Sequence, residues 1–462
     1  MTENARKSTW RELRALLRLP GFRKLFAVRL VSQTADGMFQ VGLATLLFFS
    51  PEAMNTAAGV AAGFAVMLAP FTLVGPFAGV LLDRWSRRQI LFLGNLIRAL
   101  LTFAMAAAYV WHNGFALVYV LGLAALSINR FLLAGLSAGL PKLIGDDYHS
   151  PAETNDISNL LLTANSLVPT LGAGAAFLGG AVGLGLAATS TVFGSAIVIF
   201  GSACTMMIAS LITTRLTRWQ LGPEKIPEES LRQGLLRVTK DFAGAAKYLT
   251  ARLTPGQGLA VTAIHRFLYG LVFIAAILMS RNILAANPYP YLEPSNYVDV
   301  AGTGMVAGLG SFAIIMGLIG AGGAISVVIT PLLSRQLGPQ RWVAVMFLVA
   351  AAAMLILSLA PIQLVVFSAA LILGIGSQGS KIAIDTIVQT DTADQYRGRA
   401  FAFYDVIFNA AFVAAAVFAA VIIPDSGWSR PLFLGIAAAY ILTAIWMYFR
   451  SAKSPAVVPI SD

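Results

Sequence analysis

The stretch GVLLDRWSRR, residues 79–88, places one acid and three arginines between two long apolar runs. Asp83, Arg84, Arg87 and Arg88 stand out because Asp, Glu, Lys and Arg together make up only 11% of the chain. Hydrophobic residues make up 58% of its 462 residues, and the mean hydropathy is +0.77. Soluble globular proteins are roughly 45–50% apolar and about 25% charged. The composition therefore predicts a multi-pass membrane protein, in which residues 79–88 form a short turn between two helices.

Apolar stretches of membrane-spanning length lie on both sides of this turn. A helix needs about 20 apolar residues to cross a hydrocarbon core about 30 Å thick. The sequence contains twelve such stretches, and it therefore predicts an all-α integral membrane protein with twelve transmembrane helices. They cover about residues 23–49, 57–82, 90–111, 116–140, 158–183, 188–213, 257–283, 303–333, 342–360, 362–382, 400–423 and 431–450.

Lysine and arginine residues collect on one side of this predicted topology. If the helices alternate in direction, the N-terminal tail, the 79–88 turn and the connection at 214–256 share a side, and all three are rich in Lys and Arg. The connections on the other side, such as residues 286–300, carry almost none. Because Lys and Arg collect on cytoplasmic loops, both termini are predicted to be cytoplasmic, in a bacterial-type inner or plasma membrane. The basic residues behind the net charge of +11 are therefore predicted to lie at the cytoplasmic membrane surface, and no nucleic-acid partner is expected.

A weak internal repeat divides the chain into two halves. LLDRWSRRQI at 81–90 has a counterpart in LLSRQLGPQRW at 332–342, and each follows a Gly-rich helix and precedes an apolar one. A six-plus-six duplication underlies many secondary transporters. The predicted domains are a cytoplasmic amphipathic N-terminal segment at 1–22, an N-terminal six-helix bundle at 23–213, a cytoplasmic basic linker with an amphipathic helix at 214–256, a C-terminal six-helix bundle at 257–450 and a cytoplasmic tail at 451–462.

In this topological position, the turn resembles the loop motif G-x-x-x-D-R-x-G-R-R/K of the major facilitator superfamily (MFS) of membrane transporters. Ser86 stands where that family usually has Gly. The resemblance covers about residues 20–450 and implies two pseudo-symmetric six-helix bundles around a central cavity. The residues that match the motif are Gly79, Asp83, Arg84, Arg87 and Arg88.

Two further segments resemble one branch of this family, the enterobactin-exporter-like and macrolide-efflux-like proteins. These proteins often have a polar first helix with an aspartate, and a D-x-x-x-Q…R-G-R segment that here runs from Asp385 to Arg399. The chain departs from the exporter motif G-P-x-x-G-G in the fifth helix, where AAFLGG at 175–180 keeps only the last two glycines. The resemblance implies secondary active efflux by alternating access.

Charged residues inside the apolar stretches are candidates for a transport site, because an unpaired charge in hydrocarbon is unfavourable. Asp36 lies about halfway along the first stretch, and the spacing of Gln33 and Gln40 puts both on its helix face. Arg130 lies about halfway along the fourth stretch, and Arg98 lies nearer the inner end of the third. The predicted proton and substrate site consists of Asp36, Arg130, Gln33, Gln40, Arg98 and Asn95.

A carboxylate near the membrane midplane and beside an arginine could bind a proton on one side and release it on the other. Such a cycle would drive a substrate in the opposite direction. The alternative is a structural pair between Asp36 and an arginine that only fixes helix packing. For His265, which precedes Arg266 in the seventh stretch, we expect a packing or interfacial role rather than a proton relay.

The second group of candidate residues lies at the predicted cytoplasmic ends of the helices. The resemblance implies that Asp83 contacts the start of the eleventh helix, RGRAFAFYD at 397–405, and clamps the two halves in the outward-open state. The alternative is that these charges only set the topology. The predicted cytoplasmic gate consists of Gly79, Asp83, Arg84, Arg87, Arg88, Lys381, Asp385, Arg397, Arg399, Asp405 and Asn409.

No pattern in the sequence indicates catalysis. There is no Walker A motif, no metal-ligand cluster and only one cysteine, so we expect neither an enzyme, a metal site nor a cofactor. The predicted function is proton-coupled export of an amphipathic small molecule, such as a drug, siderophore or metabolite, by a monomer that contacts membrane lipids and uses the proton gradient. The alternatives are a lipid or lysolipid flippase on the same fold and a non-transporting membrane scaffold or sensor.

Overall fold

The computed structural model describes residues 15–49, 57–73, 84–111, 115–138, 143, 154–187, 194–217, 221, 230–251, 253–285, 303–392 and 394–451. All regular elements within these residues are helical, and the protein is an all-α membrane protein, as predicted. The helices are α1 (Pro20–Ala44), α2 (Ala57–Leu73), α3 (Arg87–Val110), α4 (Phe115–Ala138), α5 (Thr154–Ala187), α6 (Gly194–Thr213), α7 (Leu231–Ala251), α8 (Leu253–Met279), α9 (Thr303–Leu337), α10 (Pro339–Leu357), α11 (Gln363–Thr390), α12 (Asp394–Ile422) and α13 (Arg430–Ser451). Short π-helical turns, Thr45–Phe49 and Ser280–Leu284, extend α1 and α8.

A helix overlaps each of the twelve predicted transmembrane stretches, and α7 lies in the predicted linker. Among the described residues, nine helices are long and apolar enough to cross a membrane. The first helix is not one of them, because Gln33, Asp36 and Gln40 lower the hydropathy of its centre. The crossings beyond these nine stay a prediction.

The first of two compact units comprises Met1–Leu47 and Leu73–Arg237. Glycines bring α1 and α5 into backbone contact in this unit. A Cβ atom on Gly37 would lie 1.8 Å from the carbonyl oxygen of Ala176, and one on Gly179 would lie 2.0 Å from that of Thr34. Small residues permit such close approach between membrane helices. This contact fixes the rotation of α1, and with it the direction in which the polar face of α1 points.

The second compact unit comprises Phe48–Thr72 and Val238–Asp462. The same device joins α9 to α11, because a Cβ atom on Gly322 would lie 2.1 Å from the carbonyl oxygen of Leu371. A Cβ atom on Gly374 would lie 2.2 Å from the carbonyl oxygen of Ile319. Both units therefore contain one helix pair whose spacing depends on glycine.

The segment that contains α2 packs within the second unit. The Asp425 carboxylate accepts a hydrogen bond from the backbone N–H of Ala57, at 2.8 Å. The Phe64 ring packs with its centroid 5.0 Å from that of Phe273 and 5.5 Å from that of Phe412. The predicted N-terminal bundle at 23–213 includes this segment, so its boundaries differ from those of the first compact unit.

The linker helix α7 begins with a capping box. Ser230 and Gln233 exchange hydrogen bonds between backbone N–H and side-chain oxygen atoms, at 2.8 and 3.3 Å. Its basic side chains, including Arg232 and Lys240, are exposed. The predicted N-terminal segment at 1–22 is described only from residue 15, and the Leu16 side chain is fully buried in the first unit.

Candidate functional site

Asp36 and Arg98 form a buried ion pair between α1 and α3. Nη2 of Arg98 donates a hydrogen bond to Oδ1 of Asp36. Arg98 is 0% exposed and Asp36 is 2% exposed. Oδ2 of Asp36 accepts a second hydrogen bond, 2.9 Å long, from Nε2 of Gln33 on the same helix. The sequence did not specify which arginine would pair with Asp36, and the structure assigns Arg98.

A second polar contact joins the same two helices one turn away. Oγ of Ser32 donates to Oδ1 of Asn95 at 3.1 Å, and Nδ2 of Asn95 donates to the carbonyl oxygen of Leu91 at 2.9 Å. Both side chains are buried. Because the ion pair and this amide contact lie along one seam, α1 and α3 are held at two successive turns.

The ion pair uses only part of the hydrogen-bonding capacity of Arg98. Among the described residues, its Nε and Nη1 atoms are buried and have no hydrogen-bond partner. A guanidinium can bond a carboxylate through two parallel N–H groups, and this pair uses one. The pair therefore leaves two buried donors unused among the described residues, and an unpaired buried donor is costly.

The other two predicted members of this site are less buried than the ion pair. Gln40 is exposed, one turn beyond Asp36 on α1. Arg130 is half-buried on α4. Of the six predicted residues, the structure thus groups Asp36, Gln33, Arg98 and Asn95 along the α1–α3 seam.

Sequence analysis missed Arg29, which extends the polar face of α1. Its side chain is only 7% exposed. It precedes Gln33 by four residues and Asp36 by seven, so all three share one helix face. The spacing was a usable signal, but a basic residue near a helix end also fits a topological role.

The arginines of the 84–88 turn contact the segment that follows α6. Nη1 of Arg87 donates to the carbonyl oxygen of Leu221 at 2.8 Å, and Nη2 of Arg88 donates to that of Thr214 at 3.2 Å. Cations are favoured near the carboxyl end of a helix, where backbone carbonyl groups lack partners. The predicted gate residues Gly79 and Asp83 lie outside the described residues, as does the predicted contact of Asp83. Arg84 is half-buried.

The remaining gate candidates lie in the second unit. Nζ of Lys381 bonds Oδ2 of Asp385 at 2.5 Å, across one turn of α11 as the sequence spacing predicted. Nδ2 of Asn409 donates to the backbone carbonyl oxygen of Asp405, within α12, at 2.7 Å. The side chains of the other two candidates, Arg397 and Arg399, lie outside the described residues.

A buried histidine links three helices of the second unit. Nε2 of His265 on α8 lies 2.9 Å from Oγ of Ser377 on α11, and its Nδ1 lies 3.2 Å from Oη of Tyr440 on α13. The guanidinium carbon of Arg266 lies 3.6 Å from the centre of the Phe408 ring. These contacts agree with the packing role expected for His265, because both ring nitrogens bond neighbouring helices.

The second unit also contains an apolar cavity between α8, α9, α10 and α11. Its volume is about 20 Å³. Tyr269 is the one hydroxyl-bearing residue among its lining residues, which include Met279, Met316 and Met354. Methionine side chains are flexible and adapt to apolar groups of different shape. Within the described residues there is no cluster of His, Cys, Asp and Glu that could hold a metal ion.

The chain resembles two curated mycobacterial proteins along nearly its whole length. An uncharacterized MFS-type transporter of Mycobacterium bovis is 30% identical over 448 residues, which cover 96% of this chain and 93% of the relative. An uncharacterized MFS-type transporter of Mycobacterium tuberculosis matches to the same extent. No family model matches the sequence.

Solved structures of transporters have a similar fold. The nucleoside transporter NupG superposes with a TM-score of 0.61 at 12% identity, over 94% of this chain and 99% of NupG. A mutant of the peptide transporter POT superposes with a TM-score of 0.63 at 11% identity, over 93% of this chain and 94% of that one. At such low identity these matches establish the fold alone.

Proposed function

Because the chain belongs to the major facilitator superfamily of transporters, we propose that it exports an amphipathic small molecule by alternating access, coupled to protons. The observation that carries the proposal is the buried ion pair between Asp36 and Arg98. Family membership favours transport over the scaffold or sensor considered from the sequence. Export is the direction implied by the resemblance to the efflux branch.

Because Asp36 and Arg98 form an ion pair, protonation of Asp36 would move the helices that carry them. A proton on Asp36 would remove the negative charge that Arg98 faces, and Arg98 would become an uncompensated buried cation. Such a cation is strongly unfavourable, so α1 and α3 would shift until Arg98 reaches another acceptor or water. A ligand or proton can drive a conformational change only if it binds one state better than the other. In the proposed cycle, the proton binds better to the state in which Asp36 and Arg98 are apart.

The groups around the pair support its sensitivity to one proton. Helix α3 contributes Arg98, which bonds Asp36, and α4, which also contacts α1, carries Arg130. Helix α5 contacts α1 through small residues such as Gly179, and α6 contacts it through Ile199 and Thr205. Electrostatic interactions are stronger at buried positions than in water, because the effective dielectric constant is lower there.

Proton flux in liposomes tests the proposal. The purified protein would be reconstituted with a pH-sensitive dye inside, and a panel of lipophilic cations, siderophores and lysolipids would be added under an imposed pH gradient. We expect a substrate to trigger proton flux in the wild type and none in Asp36→Asn. Asp391→Asn is the matched control, because Asp391 lies at the end of α11 in the other unit. Substrate movement without proton flux, equal in wild type and Asp36→Asn, would contradict the proposal.

A second candidate function is a lipid or lysolipid flippase on the same fold. The apolar, Met-containing lining between α8, α9, α10 and α11 favours it, since methionine side chains adapt to apolar groups such as acyl chains. The liposome assay separates the two functions. A flippase would move lysolipid at the same rate with and without the pH gradient, and Asp36→Asn would not change that rate.

A further inference from the structure

We infer that Arg29 binds the oxyanion, a carboxylate or a phosphate, of the amphipathic molecule that this protein carries. The inference rests on the proposed function and narrows its substrate class to amphipathic anions. Arg29 lies on the same face of α1 as Gln33 and Asp36. At about 1.5 Å of rise per residue, it lies about 10 Å from Asp36 along the helix axis.

Within the described residues, Arg29 is buried without a counter-charge. Its side chain is only 7% exposed, and in the described part of the chain neither Nε nor Nη1 has a hydrogen-bond partner. Asp36 is the nearest acid along this helix face, and both of its carboxylate oxygens are already bonded, to Arg98 and to Gln33. Buried N–H groups without acceptors are unfavourable, so an oxyanion that accepts hydrogen bonds from Arg29 gains binding free energy there.

Helix α5 leaves space for the guanidinium at Gly172. A Cβ atom on Gly172 would lie 2.9 Å from Nε of Arg29 and 3.5 Å from Cγ of Gln33. Both side chains therefore lie against this glycine, and a Cβ atom there would displace the Arg29 guanidinium. The planar guanidinium matches the geometry of carboxylate and phosphate groups, which it can bond through two N–H groups at once.

The buried charges of α1 and α3 select anions over cations. Among the described residues these charges are Arg29, Arg98 and Asp36, which together carry one net positive charge. A bound monoanion makes this group neutral, whereas a lipophilic cation raises its charge. Discrimination by unfavourable charge is a general source of specificity. One face of α1 therefore carries both Asp36, the proposed proton site, and Arg29, the inferred anion site.

Binding of matched amphiphiles to the full-length protein tests the inference. The probes are dodecyl phosphate, dodecyltrimethylammonium and inorganic phosphate, added to protein in phosphatidylcholine nanodiscs, with empty nanodiscs for subtraction. We expect dodecyl phosphate to bind the wild type at least ~10-fold more tightly than Arg29→Gln, which corresponds to about 1.4 kcal/mol. Arg29→Lys should fall between them, because lysine keeps the charge and loses the planar fork. Arg23→Gln is the control, since Arg23 is exposed on the same helix.

A second pair of variants tests the geometry without changing any charge. Gly172→Ala should weaken dodecyl phosphate binding several-fold, because its Cβ atom would displace the guanidinium. Gly174→Ala is its control on the same helix, where a Cβ atom would meet nothing within 4 Å. Equal binding of dodecyl phosphate by the wild type and by a folded Arg29→Gln variant would overturn the inference.

Two other sources of the oxyanion give different results. If inorganic phosphate competes with dodecyl phosphate at equal concentration, the site binds a free ion. This result would overturn the inference that the ligand is amphipathic. If phosphatidylglycerol in the nanodisc blocks the probe and the probe is never transported into liposomes, the occupant is a resident lipid, which also overturns the inference. Asp36→Asn should retain the preference for dodecyl phosphate over dodecyltrimethylammonium. Absence of substrate-triggered proton flux in the wild type, with this preference retained, would therefore contradict the proposed function and leave the anion site standing.

Discussion

At the scale of single residues, the ion pair makes Arg98 the side chain whose removal should be most damaging. Arg98→Ala would leave Asp36 buried without its cation, and removal of one partner of a buried pair costs about 3–5 kcal/mol. We expect thermal unfolding of the purified protein to show that the free energy of unfolding falls by that amount. The double variant Asp36→Asn, Arg98→Gln should lose less, because no unpaired charge remains. An equal loss in the single and double variants would show that packing rather than charge stabilises this position.

The same residues show what a sequence can and cannot predict about a transport site. The spacing of Gln33 and Asp36 along one helix was enough to predict a polar face. The partner of Asp36 was not predictable, because it depends on which helix lies beside α1 and on the rotation of both helices. Arg29 was missed for another reason. Its position near the start of a helix is also typical of a charge that sets topology.

At the scale of helices, the α1–α5 contact should depend on Gly179. Gly179→Ala would place a Cβ atom 2.0 Å from the carbonyl oxygen of Thr34, so the two helices must separate. Overpacking of this kind typically costs about 1–3 kcal/mol. Gly185→Ala, on the same helix with nothing within 4 Å of its Cβ atom, is the control. We expect Gly179→Ala to unfold at a lower temperature than the wild type, and Gly185→Ala to unfold at the wild-type temperature.

The start of α2 offers a second test at this scale. Asp425 accepts a hydrogen bond from the N–H group of Ala57, as an N-cap side chain does, although it belongs to a distant part of the chain. Loss of such a bond typically costs about 1 kcal/mol. In Asp425→Ala, amide hydrogen exchange in the first turn of α2 should therefore be about five-fold faster. Ser426→Ala should leave that exchange unchanged, since the Ser426 hydroxyl bonds Trp428 in its own loop.

The whole molecule was more predictable than its site, for a physical reason. A bilayer requires about 20 apolar residues for each crossing, so helix positions appear directly in the composition of the chain. The grouping of Phe48–Thr72 with the second unit did not appear there. It depends on contacts such as that of Phe64 with Phe273 and Phe412, which join residues far apart in sequence.

The orientation of the molecule remains a prediction from its Lys and Arg distribution, and cysteine labelling tests it. Cys204 is the only cysteine, so Cys204→Ser provides a background without thiols. Lys240→Cys on α7 and Ser426→Cys between α12 and α13 are exposed positions that the predicted topology places on opposite sides. In intact cells, a membrane-impermeant maleimide should label Ser426→Cys, and it should label Lys240→Cys only after lysis. The reverse pattern would place the basic linker outside the cell and would contradict the predicted topology.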